Sequence, residues 1–252
     1  MDKKGQVAIF VIIAIVIVGV VLAIFFYPRI TEFVAPSAIS PAQYLEDCIK
    51  PDVQLTVNLL AKQGGDENPI GYINYKETKI KYLCYITGYY QTCLVQQPML
   101  MTHFGNEISR MLTARTDRCA QNLKEEYTNK GYAVEMGKIN SSVLMAPGKI
   151  VIIFNSPMKI TKGEETRIFD KFDVVISSQI YDLLAISTSI VDYEATYGDS
   201  ETTLYMQYYP DLKIEKIKLE DGIKIYKVSN VVSKEEFEFA TRSLVWPAGY
   251  GL

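Results

Sequence analysis

Cysteine is the residue type whose positions most restrict the chemistry of this chain. The sequence has Cys48, Cys84, Cys93 and Cys119, at successive spacings of 36, 9 and 26 residues. It contains no Cys-x-x-Cys pair, which is the spacing typical of structural zinc sites. Four cysteines can form two disulfides in three ways. The spacing favours disulfides over a metal site, with buried free thiols as the remaining alternative.

A strand pattern around Cys84 favours one of the three pairings. Apolar side chains alternate along the chain between Ile80 and Ile86, which predicts a β-strand. Gly88-Tyr89 fits the two-residue type II′ turn of a hairpin, in which glycine supplies the positive φ. In that register Cys84 faces Cys93, with Cα atoms about 4.5 to 5.5 Å apart, a separation that a disulfide can span. Cys48 then pairs with Cys119 and joins two predicted helices.

The single histidine and the paired acids give little support to catalysis. His103 stands near the start of a predicted helix without a nucleophile motif nearby, so we expect a structural role for it. Glu46 with Asp47, and Asp170 with Asp173, are the acid pairs that a calcium or glycosidase-like site would need. We expect the first pair on a helix surface and the second on opposite faces of a strand. The sequence therefore predicts no enzyme activity, no metal site and no cofactor.

Two further features concern the protein surface. Asn140-Ser141-Ser142 is a single N-glycosylation sequon, and it falls between two predicted strands. The chain also has 18 tyrosines. Exposed tyrosine suits binding because its rigid ring loses little entropy when it is ordered. Core packing explains most of these tyrosines without a partner.

A long apolar segment precedes all of these residues. Val7–Tyr27 carries no charged side chain. At about 1.5 Å of rise per residue, a helix of this length spans the roughly 30 Å hydrocarbon core of a bilayer. A helix also satisfies its backbone polar groups internally, as lipid requires. The segment predicts a transmembrane helix, with the lipid bilayer as a partner.

The charges on either side of this segment predict its orientation. Lys3 and Lys4 precede it, whereas Arg29 after it is soon followed by Glu32. Because basic residues favour the cytoplasmic side, the N-terminus is expected in the cytoplasm and the rest of the chain outside. A cleaved secretory signal is the alternative. Such signals have apolar regions of about 7 to 15 residues and a small-x-small cleavage site, neither of which fits this segment.

The residues around the start of the apolar segment resemble a known processing signal. Lys3-Lys4-Gly5-Gln6, leading into Val7-Ala8-Ile9-Phe10, resembles the N-terminus of archaeal type IV pilin-like proteins, including class III pilins and archaellins. The resemblance implies cleavage between Gly5 and Gln6. Many type IV pilins have glutamate at the fifth mature position, where this chain has Phe10; archaellins also lack it. Tyr44–Gly65 is similar to an uncharacterised group of archaeal single-pass surface proteins, a similarity that implies no activity.

Beyond the apolar segment the sequence predicts an α+β fold with mainly antiparallel strands. Helical periodicity runs from Pro41 to Gly64-Gly65 and over residues 102–129 and 178–196. Strand patterns cover residues 80–86, 132–136, 149–155, 167–176, 212–219 and 223–228, with a last strand at Phe237 and Phe239. The expected organisation is a cytoplasmic leader at 1–6, a transmembrane helix at 7–27, a linker at 28–40 and an extracellular domain at 41–252.

Taken together, these features predict a protein of the cell membrane with its N-terminus in the cytoplasm and a disulfide-linked ectodomain outside the cell. A net charge of -3 argues against nucleic acid as a partner, because phosphate binding needs a clustered cationic face. We expect a structural or interaction role, through self-association or contact with other surface proteins. The alternative is a type IV pilin-like filament subunit processed before Gln6.

Overall fold

The structure is a computed structural model that describes residues 16–18 and 40–245. The chain divides into two compact units, residues 1–40 and 41–252. In the first unit Val16, Ile17 and Val18 are helical and exposed. The leader, the rest of the apolar segment Val7–Tyr27 and the linker up to residue 39 lie outside the described residues. Within the described ranges, no helix combines the length and apolarity needed to cross a membrane.

Four helices are described in the second unit. They are α1 (Pro41–Lys62), α2 (Leu100–Asn129), α3 (Ile180–Tyr197) and α4 (Thr203–Tyr208). Helix α1 begins at a proline, whose missing N–H is not needed in the first turn, and it continues through Pro51. It ends before Gly64, where φ is 72°. A Cβ at Gly64 would lie 2.7 Å from Cβ of Lys81, so a side chain there would collide with β2 (Thr78–Tyr85).

The first sheet contains six strands and gathers segments from both ends of the domain. Its members are β1 (Tyr72–Tyr75), β2, β3 (Leu94–Val95), β8 (Leu212–Lys218), β9 (Ile223–Asn230) and β10 (Glu236–Arg242). The order is β1-β2-β10-β9-β8, and β3 also pairs with β2. The pairing of β2 with β10 is parallel and the others in this sheet are antiparallel.

The second sheet is antiparallel and is built around one long strand. Its members are β4 (Ala133–Met136), β5 (Asn140–Ala146), β6 (Lys149–Lys162) and β7 (Glu165–Ser177). Strand β6 pairs with the other three strands. The predicted mixed α+β fold with mainly antiparallel pairing is therefore confirmed. Strand β5 and helix α4 were not predicted.

One hydrophobic core joins the helices to both sheets. Its most deeply buried members include Ile49, Leu60, Phe104, Ile108, Leu123, Ile150, Phe154, Phe237 and Phe239. A smaller cluster contains Ile80, Tyr82, Ile225 and Ala240, from β2, β9 and β10. Because β2 contributes to both clusters, residues 80–84 are all buried. The alternation that the sequence suggests for this strand therefore does not correspond to one buried and one exposed face.

Two disulfides are present, and they join the pairs favoured by the sequence. Cys48 in α1 bonds to Cys119 in α2, and Cys84 in β2 bonds to Cys93, just before β3. The first disulfide fastens α1 to α2, and the second closes a short loop on the first sheet. Disulfide bonds are therefore confirmed as a feature of this chain.

The predicted register of the Cys84 hairpin is wrong. Cys84 lies opposite Val95, and an eight-residue loop at 86–93 replaces the two-residue turn. The positive φ of 62° belongs to Tyr90 instead of Gly88. Contacts with β10 explain the longer loop. The Arg242 guanidinium donates to the Ile86 carbonyl and lies 5.8 Å from the centre of the Tyr89 ring.

We expect the two disulfides to stabilise the fold unequally. Replacing Cys48 and Cys119 together by alanine releases a loop of 71 residues, and the loop-entropy estimate puts the loss near 4 kcal/mol. The same change at Cys84 and Cys93, 9 residues apart, is expected to cost about 2.5 kcal/mol. Denaturant unfolding of the full chain in mild detergent measures both losses. If both double variants lost the same free energy of unfolding, or if the Cys84–Cys93 variant lost more, loop entropy would not explain how the disulfides stabilise the fold.

Candidate functional site

The predicted site residues that the structure describes are distributed over the domain and do not converge on one centre. No described cysteine is free. In the described ranges, no group of three or more histidine, cysteine or acidic side chains is arranged to hold a metal ion. The predicted processing residues Gly5 and Gln6 lie outside the described residues. The sequon residue Asn140 is exposed, but it is the first residue of β5 and pairs with Asn155. The expectation that it lies between strands is therefore wrong.

The acid pairs occupy exposed or partly exposed surfaces. Glu46 lies 4.0 Å from the Lys50 ammonium on α1. Asp170 and Asp173 are both exposed on β7. A bulge between Asn155 and Met158 in β6 shifts the register of β7 beside these residues. Each pair therefore lies where solvent can screen it.

His103 has a carboxylate neighbour that the sequence did not indicate. Its Nε2 lies 3.2 Å from Oδ2 of Asp66, at ion-pair distance but without hydrogen-bond geometry. The Lys81 ammonium donates to the same oxygen and also to Gln97, at 3.1 Å. Asp66 thus joins the loop after α1 to β2 and to the start of α2. This arrangement supports the structural role expected for His103.

A buried polar network centres on Glu194 of α3, whose side chain is fully inaccessible to solvent. The Lys224 ammonium lies 2.6 Å from its Oε2, and the Ser200 amide donates to Oε1 at 2.9 Å. Tyr226 also donates to Oε1, and Thr241 donates to Oε2 at 3.3 Å. A buried charge is tolerated only when it is paired and hydrogen-bonded. The network meets that condition and joins α3 to β9 and β10.

The Tyr226 hydroxyl is held in its protonated form by its surroundings. Burial raises its pKa first, and the adjacent Glu194 carboxylate raises the pKa further. Its ring stacks on Phe239, with centres 5.1 Å apart. The phenol therefore remains a hydrogen-bond donor at all ordinary pH values. No sequence motif pointed to this network, although Glu194 falls one helical turn after the buried Ile190.

An exposed aromatic cluster lies between α3 and the segment that follows it. We call it the tyrosine groove. It is a cleft of about 480 Å³ lined by Tyr193, Glu201, Leu204, Tyr205, Tyr208 and Tyr209. Tyr208 is 80% exposed and Tyr209 is 56% exposed. Tyr205 is held in place by a 2.8 Å hydrogen bond between its hydroxyl and that of Ser189 on α3.

A second cleft adjoins the tyrosine groove and shares Tyr209 with it. It has a volume of about 350 Å³ and runs along α3 past Asp182, Ile186 and Asp211. Among the described residues lining the two clefts, every charged side chain is acidic: Glu201, Asp182 and Asp211. The combined surface is therefore aromatic and anionic.

Glu201 is the carboxylate within the tyrosine groove. Hydrogen bonds from the side chain and backbone of Thr203 lower the pKa of Glu201, and the backbone bond is 2.8 Å long. The carboxylate is consequently ionised at neutral pH. Tyrosine faces carry negative electrostatic potential as well. The groove can thus offer a cation both a charge and aromatic surfaces.

We expect Lys224→Met to destabilise the domain strongly, because it leaves the buried Glu194 carboxylate without its cation. Breaking a buried pair in this way costs about 3–5 kcal/mol. Tyr226→Phe removes one donor from the same carboxylate, and we expect a smaller loss of about 1–3 kcal/mol.

Lys218→Met is the matched control for this series. Lys218 is 64% exposed and pairs with Asp199 at 3.1 Å, so its loss should cost less than about 1 kcal/mol. Denaturant unfolding of the full chain compares the three variants. A Lys224→Met effect as small as that of the control would show that Glu194 does not depend on this pair.

Comparisons of the chain with protein-family models, with curated proteins and with solved structures found no match. The tyrosine groove and the adjoining cleft combine exposure, aromatic surface and charge.

Proposed function

We propose that this chain is a membrane-anchored cell-surface protein whose disulfide-linked domain makes contacts outside the cell. The observation that carries the proposal is the pair of disulfides, Cys48–Cys119 and Cys84–Cys93. Disulfides of this kind persist in oxidising compartments and are rare in the cytosol. All four cysteines of the sequence take part in them.

The N-terminal sequence supports the membrane anchor and its orientation. Val7–Tyr27 is uncharged and long enough to span a bilayer. Lys3 and Lys4 precede it, which favours a cytoplasmic N-terminus. This orientation delivers residues 41–252 to the side of the membrane where disulfides form. The compartment indicated by the disulfides is therefore the one to which the predicted topology delivers the domain.

The tyrosine groove supports a binding role for the domain. Tyr193, Leu204, Tyr208 and Tyr209 are exposed large side chains gathered on one surface. Contiguous aromatic surface with a polar rim is typical of interaction sites. A catalytic role has less support, because Asp66 is shared between Lys81 and His103 as a structural contact. We therefore favour contact with another surface molecule over chemistry on a substrate.

A type IV pilin-like filament subunit is the second candidate. It is supported by Lys3-Lys4-Gly5-Gln6, which resembles the signal cut in archaeal pilin-like proteins. In that case the mature chain would start at Gln6, and its apolar helix would pack against the helices of other subunits. The disulfide-linked domain would then cover the outside of the filament.

Cell fractionation followed by N-terminal sequencing tests both candidates. We expect the full-length product in the membrane pellet after a carbonate wash, with release by detergent. A mature chain that begins at Met1 identifies an anchored protein, and one that begins at Gln6 identifies pilin-type processing. Gly5→Val serves as the matched variant, because it should abolish only the second outcome. Recovery of the product in the aqueous fraction of gently broken cells would refute the proposal.

A further inference from the structure

We propose that the tyrosine groove and the adjoining cleft bind an extended peptide segment of a partner protein that carries lysine or arginine side chains. This inference rests on the proposed function, because it names the occupant of the same contact surface. It follows from three properties of the two clefts: their aromatic faces, the sign of their charge and their length.

The aromatic faces come from four tyrosines, of which Tyr193, Tyr208 and Tyr209 are exposed. A cation placed over an aromatic ring is attracted by the negative face of that ring. Lysine and arginine also carry apolar stems that can cover a neighbouring side chain such as Leu204. A groove of this composition therefore suits a long cationic side chain better than a compact ion.

The charges of the residues that line the two clefts disfavour an anionic partner. Glu201 lies in the tyrosine groove, while Asp182 and Asp211 line the adjoining cleft. No lysine or arginine is among the described residues that line either cleft. Complementary charge selects partners and speeds their encounter, whereas like charges facing each other are costly. A phosphate-rich or acidic segment is consequently disfavoured.

The length of helix α3 along the two clefts matches a short peptide. Asp182 and Tyr193 are eleven residues apart on α3, which corresponds to about 16 Å along the helix axis. An extended chain advances about 3.3 Å per residue, so four steps cover about 13 Å, and the flexible lysine stems reach the remainder. Two cationic side chains separated by three residues could therefore reach the two clefts together.

The direct test measures binding of the synthetic peptide acetyl-Lys-Ser-Gly-Ser-Lys-amide to the full chain in mild detergent. A peptide with norleucine in place of both lysines keeps the stems without the charges. We expect saturable binding of the lysine peptide, at least tenfold tighter than that of the norleucine peptide and weakened by added salt. Equal binding of the two peptides, or no binding of either, would overturn the proposal.

Variants of exposed residues locate the binding site. Tyr208→Ala should weaken binding of the lysine peptide about tenfold, and Glu201→Gln should weaken it about threefold and reduce its salt dependence. Tyr72→Ala and Glu164→Gln change exposed residues outside the two clefts and should leave binding unchanged. Because Tyr208 is 80% exposed, its loss should not alter unfolding. If neither Tyr208→Ala nor Glu201→Gln weakened binding of the lysine peptide, the two clefts would not be its binding site.

Three further measurements, of oligosaccharide binding, of self-association and of cell fractionation, distinguish other occupants and the proposed function from this inference. Binding of a neutral oligosaccharide in preference to the lysine peptide, or self-association of the chain that Tyr208→Ala abolishes, would replace the cationic segment as occupant. A membrane-located chain that fails to bind the peptide would refute this inference alone. A chain that binds the peptide but fractionates as an aqueous protein would refute the proposed location alone.

Discussion

The buried carboxylate of Glu194 fixes where α3 lies in the domain. An ionised group removed from water must be surrounded by partners, and this one takes them from several parts of the chain. Lys224 and Tyr226 come from β9, Thr241 comes from β10, and Ser200 comes from the segment after the helix. Helix α3 therefore cannot move on the first sheet without leaving charged or polar groups unpaired.

The same constraint determines the geometry of the candidate binding surface. Tyr193 adjoins Glu194 in sequence but faces the groove, because consecutive residues of a helix point in different directions. The opposite wall is α4, which has no buried residue and is held by Tyr205 through Ser189 and by Met206 through the Ile214 amide, 3.3 Å away. A charged interior on one side of α3 thus supports an aromatic, anionic surface on the other.

Elements with a strong periodic pattern could be predicted from sequence, whereas elements determined by tertiary contacts could not. Helices α1 and α2 and strands β8 and β9 follow from the periodic spacing of their apolar side chains. Helix α4 has no buried residue, so its sequence lacks the periodic spacing of apolar side chains from which a helix is predicted. The Cys84 register depends on Arg242, which is distant in sequence. The tyrosine groove likewise needs α3 and α4 side by side, a juxtaposition that no motif encodes.

A membrane-impermeant maleimide, applied to intact cells that produce the full chain with Tyr208→Cys, tests most directly whether the tyrosine groove lies outside the cell, as we propose. The unmodified chain is the control, since its four cysteines are all in disulfides. We predict that the variant is labelled without breaking the cells and that the control is not. Labelling of the variant only after the membrane is permeabilised would contradict the account.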